Sequence, residues 1–581
     1  MTLRISVLLA SLLLMGVTGC ATLTAPSSAS SAASAVASAP AEEVPEYDPV
    51  ILPKQQLDDE MVMRFLVGDV AAQRGNIPLA AEAWVDLTRR TKDPRVAQRA
   101  AQLAVASGQL ALAQEATEIW VATAPSSLPA RQLMISLLLR SNRIADAEVH
   151  LNAMFAAKPQ EVAPFFMQMH QLWGKEVDRQ AVLQLTLRLS DAYAPMPEAH
   201  FARAVAYGNA QQVDMAQQEL DTALKLRPQW EPAVLYKVQL NEGADHAQMS
   251  QLLSDAAKAN PMSSNIVLAQ ARIAADAGQY AQAGQYYEMV LARDPNHLEA
   301  LVGAGLVAMQ VNEIAKAQQY LTRSVQLNPK SVGHLAPYLG QLAEQRHQYQ
   351  LAIDWYSKAE GERKATATQR LPRLYAKLGQ QQLADQALAA LPDVTPQNKV
   401  DKAQVSAQVW RERKDLPRSI AVLSEAIAQA PDQAELYYDR SLYLDLNGDT
   451  AGAEADLRHY LTLVPNSVNG MNALGYILAN RTNRYAEADT YLSMALAQQP
   501  DNPVIQDSMG WLRFKQGKLK EAQALLEKAF KAMPDAEVGA HLAEVLWMQG
   551  DKTRAQQILR DVLAQQPDDE VALEVSQRLG L

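Results

Sequence analysis

The stretch Pro500-Asp-Asn-Pro-Val-Ile-Gln-Asp-Ser-Met-Gly510-Trp-Leu-Arg-Phe-Lys-Gln-Gly517-Lys-Leu-Lys-Glu-Ala522-Gln-Ala-Leu-Leu-Glu-Lys-Ala529-Phe-Lys-Ala-Met-Pro534 decides the fold. Its frame is a Gly, an Ala five residues later and a Pro seventeen residues later. The same frame recurs at Gly108/Ala113/Pro125, Gly278/Ala283/Pro295, Gly379/Ala384/Pro396, Gly448/Ala453/Pro465 and Gly550/Ala555/Pro567. Asn stands in for Gly at Asn142/Ala147/Pro159, Asn312/Ala317/Pro329 and Asn483/Ala488/Pro500. Gly and Asn tolerate the left-handed backbone that closes a helix, so this position marks the turn between two helices. The Ala lies where the helices come closest, and the Pro opens the next unit because it suits a first turn but cannot continue a helix.

Successive prolines Pro431, Pro465, Pro500, Pro534 and Pro567 are 34, 35, 34 and 33 residues apart. A period near 34 changes what 581 residues mean: in place of about four globular domains of ~150 residues, one expects a continuous stack of helix pairs. Composition agrees, since the apolar content is carried by Leu and 98 Ala with only 7 Phe, which favours thin, closely packed helices over sheets.

This pattern resembles the tetratricopeptide repeat. The small residue of the family's first helix is matched by Ala204, Gly305, Ala407, Gly510 and Ala543, and its second-helix Ala by Ala223, Ala256, Ala426, Ala495 and Ala529. The resemblance implies an all-α, right-handed superhelix (an α-solenoid) over residues 58–567. It would have roughly twelve to fifteen helix pairs, with degenerate units near Asn241 to Asn260 and Ser357 to Arg370 and an extra residue near Arg481 to Asn483. Residues 568–581 read as a C-terminal capping helix, with Val571, Leu573, Val575 and Leu579 as its apolar stripe and Asp568, Asp569 and Glu570 at its N-terminus.

The N-terminus has a different character. Arg4 precedes an apolar run from Ile5 to Val17 of signal-peptide length, ending in Val17-Thr18-Gly19-Cys20. That ending resembles the lipobox of bacterial lipoproteins, which implies a signal peptide over 1–19 and a lipidated Cys20. Residues 21–41 hold nine Ala, six Ser, two Pro and two Thr with no charge, so residues 20–57 read as a disordered tether. Ala21, not Asp, follows the Cys. By resemblance to Gram-negative sorting signals this implies an outer-membrane anchor with the body facing the periplasm. The single Cys excludes disulfide frameworks and multi-cysteine metal sites, and the net charge of -11 argues against nucleic acid as a partner.

Catalytic motifs are imitated but not met. Gly517-Lys518 is followed by Leu519 where a phosphate loop needs a hydroxyl, and Gly303-Ala304-Gly305 has no preceding strand. The nine His form no His-Glu-x-x-His pair, so no enzyme, metal or cofactor is expected. Function is therefore expected on the inner, first-helix surface, where Asn472, Tyr476, Asp507, Trp511, Phe514, Glu544 and Trp547 form a candidate partner-binding groove for an extended or helical peptide, the alternative being that Trp511 and Trp547 simply fill gaps between adjacent repeats.

Asn472 to Ala479, Asp507 to Trp511 and Ala540 to Trp547 are also similar to segments of large proteobacterial tetratricopeptide lipoproteins. One of that group is the outer-membrane adaptor of a periplasmic carboxyl-terminal processing protease. The resemblance implies a non-catalytic adaptor whose partners are a periplasmic serine protease and peptidoglycan hydrolases. The alternatives are an assembly lipoprotein for a pilus, secretion or polysaccharide-export machine, or a cryptic enzyme with a site assembled from distant repeats.

Overall fold

The computed structural model describes residues 52–171, 178–241, 246–567 and 569–580. Cys20, the expected signal peptide and the expected tether up to residue 51 lie outside the described residues, as does Asp568. Among the described residues there are 31 α-helices, most of them 13 to 15 residues long, four short 3-10 turns and no strand. Three-residue turns fold the two helices of most pairs back on one another and links of mostly four residues lead to the next pair, so the chain is an all-α solenoid of helix pairs.

The helices group into two compact units, Met1–Ala317 and Gln318–Leu581. The first unit begins with α1 (Asp59–Gln73), α2 (Ile77–Thr91) and α3 (Pro94–Ala106). The second ends with α4 (Val468–Arg481), α5 (Tyr485–Gln498), α6 (Pro503–Lys515), α7 (Leu519–Ala532), α8 (Ala536–Met548), α9 (Lys552–Gln565) and α10 (Glu570–Leu579). Within that end, α4 packs on α6, α6 on α8 and α8 on α10, so the first helices of successive pairs form one layer.

The repeat frame has a structural counterpart at almost every position. All nine frame alanines, from Ala113 to Ala555, are fully buried. The turn residues Gly108, Asn142, Gly278, Asn312, Gly379, Gly448, Gly517 and Gly550 all adopt the left-handed conformation, with φ between 55° and 94°. Asn483 does not. The extra residue in its unit lets the extended Thr482 (φ -135°) end α4 instead. The Thr482 hydroxyl donates to the Leu478 carbonyl (2.6 Å) and accepts from the Arg484 N–H (3.1 Å), so a side chain closes this turn.

Three further turns escape the Gly/Asn rule. Gln211, His347 and Lys414 hold φ of 61°, 57° and 61° in the same place, and the residues five positions on, Ala216, Ala352 and Ser419, are again fully buried. At the C-terminus the Asp569 carboxylate caps α10 by accepting from the Ala572 N–H at 2.9 Å. The buried face of α10 is Ala572 and Val575, flanked by Val571 and Leu579. Leu573 points to solvent, because its place in the helical turn is opposite the α8 contact, so it does not belong to the stripe expected from the sequence.

Candidate protein-binding surfaces

The expected groove residues lie on three neighbouring first helices: Asn472 and Tyr476 on α4, Asp507, Trp511 and Phe514 on α6, Glu544 and Trp547 on α8. Tyr476, Asp507, Trp511 and Phe514 are engaged with other side chains of these helices. Trp511 is only 4% exposed. Its ring stacks on His541 at 4.1 Å and on Phe514 at 5.0 Å, and its indole N–H donates to Asn480 Oδ1 at 3.0 Å. The Tyr476 hydroxyl donates to Glu537 Oε1 at 2.9 Å, reaching from α4 past α6 to α8. Asp507 Oδ1 lies 2.9 Å from His541 Nδ1.

Asn472, Glu544 and Trp547 stand at the margin of this cluster. Glu544 is paired with Arg578 of α10 at 2.6 Å, and the Lys552 ammonium sits 4.9 Å above the half-buried Trp547 ring. Asn472 Oδ1 is buried and has no partner. The inner face of the last repeats is therefore largely filled by its own side chains, which is not the open aromatic groove expected from the sequence. The physical reason is that Tyr476, Trp511 and His541 find hydrogen-bond and stacking partners across the first-helix layer, while Gly475 and Gly510 seat α4 and α6 tightly on α5 and α7. At Gly475 a Cβ would meet Leu492 Cγ at 2.6 Å, and at Gly510 it would meet Leu526 Cγ at 2.7 Å.

The sequence reading missed His541 and Glu537, which centre this cluster. The clue was present: His541 follows Asp507 by one repeat length, 34 residues, and Glu537 precedes His541 by one helical turn. His541 is only 2% exposed. Burial disfavours its charged form, but the Asp507 charge and hydrogen bond, with the charges of Glu537 and Glu544, outweigh burial and hold the imidazole above its ordinary pKa. Burial pushes Glu537 up as well, reinforced by the Asp507 charge and opposed by His541.

The opposite end of the chain carries a surface that the sequence reading did not single out. On α1, Val62, Met63, Leu66, Val67 and Val70 share one face and are exposed, Met63 at 62% and Leu66 at 52%. The buried face of α1 is Gly68 and Ala71, and a Cβ at Gly68 would meet the Trp84 ring of α2 at 2.6 Å. Phe65 contacts Trp84 edge to face at 5.4 Å. A helix that packs through Gly and Ala while presenting five large apolar side chains to water has its hydrophobic stripe reversed relative to an ordinary terminal helix. Periodicity alone could not reveal this, because an apolar stripe reads the same whichever side faces the neighbour.

The glycines that imitate nucleotide loops have structural roles. Gly517 is a repeat turn, and Gly303 makes room for the Tyr287 ring, which a Cβ would overlap. Among the described residues, no group of three or more His, Cys, Asp or Glu is placed to hold a metal ion, and no helix is long and apolar enough to cross a membrane.

Two models described as tetratricopeptide repeat match the sequence, one over residues 274–336 and 513–579, the other over 250–297 and 407–468. The matched segments carry tetratricopeptide repeats. A tetratricopeptide relative is the TPR repeat-containing protein PA4667 of Pseudomonas aeruginosa, 27% identical over 491 residues, which are 84% of this chain and 82% of the relative. The solved structures are more distant. A chain of the APC/C hetero-tetramer Cut9-Hcn1 is 15% identical, with 78% of this chain and 96% of that one covered at a TM-score of 0.28. A tetratricopeptide repeat protein from Parabacteroides merdae is 17% identical, with 49% and 99% covered at a TM-score of 0.31. Tetratricopeptide repeats are protein-binding scaffolds, so the partners to be sought are proteins.

Proposed function

We propose that this tetratricopeptide chain is a non-catalytic adaptor, anchored to the outer membrane through lipid on Cys20, that brings a periplasmic carboxyl-terminal processing protease together with cell-wall hydrolases. The observation that carries the binding role is the uncovered apolar face of α1, with Met63 and Leu66 each more than half exposed. Leaving such side chains in water forgoes about 25 cal/mol for each Å² a partner would cover. The adaptor role draws on the likeness of the C-terminal repeats to those of the lipoprotein adaptor group, and the anchor on the Val17-Thr18-Gly19-Cys20 motif.

In this reading α1 docks the protease, and the repeats behind it offer long surfaces to substrates. The test is affinity purification of the full chain from its native host, beside the variant Met63→Ser/Leu66→Ser/Val70→Ser. Wild type should recover a serine protease and hydrolases, and the triple variant should lose the protease with unchanged helical circular dichroism. Retention of the protease by the variant refutes docking at α1. Recovery of only pilus, secretion or polysaccharide-export components refutes the adaptor reading and favours an assembly lipoprotein.

A further inference from the structure

The arrangement around His541 has a consequence separate from partner binding at α1. Each helix that packs on this imidazole presents identified charges. From α4 come Tyr476, whose ring lies 6.3 Å away, and behind it Arg481, which is paired with Asp445 at 2.9 Å. From α6 come Asp507 and Lys515, whose ammonium lies 4.7 Å from the centroid of the Trp511 ring. From α8 itself come Glu537 and Glu544, and from α10 comes Arg578, which pairs with Glu544 at 2.6 Å and with Glu574 at 3.4 Å. With Glu544 taken by Arg578, His541 is the group placed to carry a positive charge against Asp507 and its neighbour Glu537.

We propose that the C-terminal repeats contain a pH-operated latch, in which protonated His541 between Asp507 and Glu537 fastens α4, α6 and α8 together and loss of that proton loosens them. The geometry joins three helices through one ring. Asp507 binds it from α6, Trp511 stacks on it, and Glu537, one turn away on α8, holds the Tyr476 hydroxyl of α4. If the imidazole becomes neutral in place, two buried carboxylates lose their cation, and an uncompensated buried charge is strongly destabilising. Opening the helices lets water replace the missing charge.

The direction follows from linkage. His541 binds its proton more tightly in the packed state than a free imidazole at about 6.5. Its contribution to packing is therefore complete below the free value and is lost as pH rises through the packed-state value. Between the two values opening releases one proton, so the opening constant rises about tenfold per pH unit. The same loosening uncovers Tyr476 and Trp511, so the latch would control when the inner-face aromatics become available to a ligand.

The experiment is hydrogen–deuterium exchange on the full chain at pH 6, 7.5 and 9, with rates divided by the intrinsic exchange rate at each pH and with α2 and α3 as internal references. In wild type, peptides from α4, α6 and α8 should lose protection by about tenfold per pH unit within the window, while the references stay constant. His541→Asn places an amide nitrogen near the Nδ1 position but cannot titrate, so its exchange in these helices should be fast and independent of pH. Wild-type protection that does not change with pH, or the same pH dependence in His541→Asn, overturns the latch. Asp507→Asn gives a second arm if His541→Asn does not fold. It removes the main charge that holds the proton, so the loss of protection should begin at lower pH, and an unmoved midpoint also overturns the proposal.

Discussion

Tyr287 tests whether the packing is understood at the level of single atoms. It lies on the helix Tyr280–Arg293 with no exposed surface, and its hydroxyl has no hydrogen-bond partner. Burial raises its pKa far above the usual phenol range, with the nearby Glu299 charge adding to the effect. An orphaned buried hydroxyl costs roughly 1–3 kcal/mol relative to its hydration in the unfolded chain. Tyr287→Phe removes that cost and leaves a space of one oxygen atom, which forfeits a few dispersion contacts of about 0.1–0.2 kcal/mol each. The net expectation is a gain of about 1 kcal/mol, or about 2–4 °C in the melting transition of a unit of this size. Differential scanning calorimetry of the full chain should show one transition moving upward and the rest unchanged. Gly303→Ala, which drives a Cβ into the same ring, should move the same transition downward. If Tyr287→Phe destabilises that transition, the hydroxyl has a satisfying partner and the orphan argument fails.

Three further substitutions probe the second unit. Ala522→Leu places three extra carbons where the frame alanine is fully buried between α6 and α7, and should lower stability by about 3 kcal/mol in urea unfolding; a loss under 1 kcal/mol would show that the helix pair can separate freely. Trp511→Ala empties a buried aromatic site and should cost about 3–5 kcal/mol, whereas Trp547→Ala, at a half-buried ring, should cost clearly less. Equal, small effects on melting for both would mean that Trp511 does not pack as observed.

The fold was legible because the features that specify it are local and repeated. A left-handed turn needs Gly or Asn, a close helix contact needs Ala, and a restart tolerates Pro, so each requirement leaves a residue at a fixed spacing. Where the rule failed, at Gln211, His347 and Lys414, the small residue five positions later still held the frame, because burial forbids a larger side chain while a turn can bear strain of about 1 kcal/mol. The candidate site was legible only in part. Periodicity placed Tyr476, Asp507 and Trp511 on first helices, where the structure also has them. It could not say how closely that layer closes, since closure depends on which side chains, such as Tyr476 with Glu537 and Trp511 with His541, find one another across it. Nor could it distinguish an apolar face that is covered from one that is bare, which is why α1 passed unnoticed.

These two errors have a common cause, and it bears on where a partner would act. An aromatic residue lowers the free energy by losing contact with water, and it does so equally well against its own chain or another. At the C-terminal end, Trp511 meets that requirement internally, through His541, Phe514 and Asn480. At α1 the internal contact is made by Gly68, Ala71 and Phe65 against Trp84, and no neighbouring helix precedes α1 in the described chain to cover Met63, Leu66 and Val70. The aromatic-rich face is thus the stable one, and the aliphatic face is the one with free energy still to gain by association. A partner that engages the repeats from the α1 end gains that burial directly, whereas one that engages the inner C-terminal face must first displace the contacts around His541.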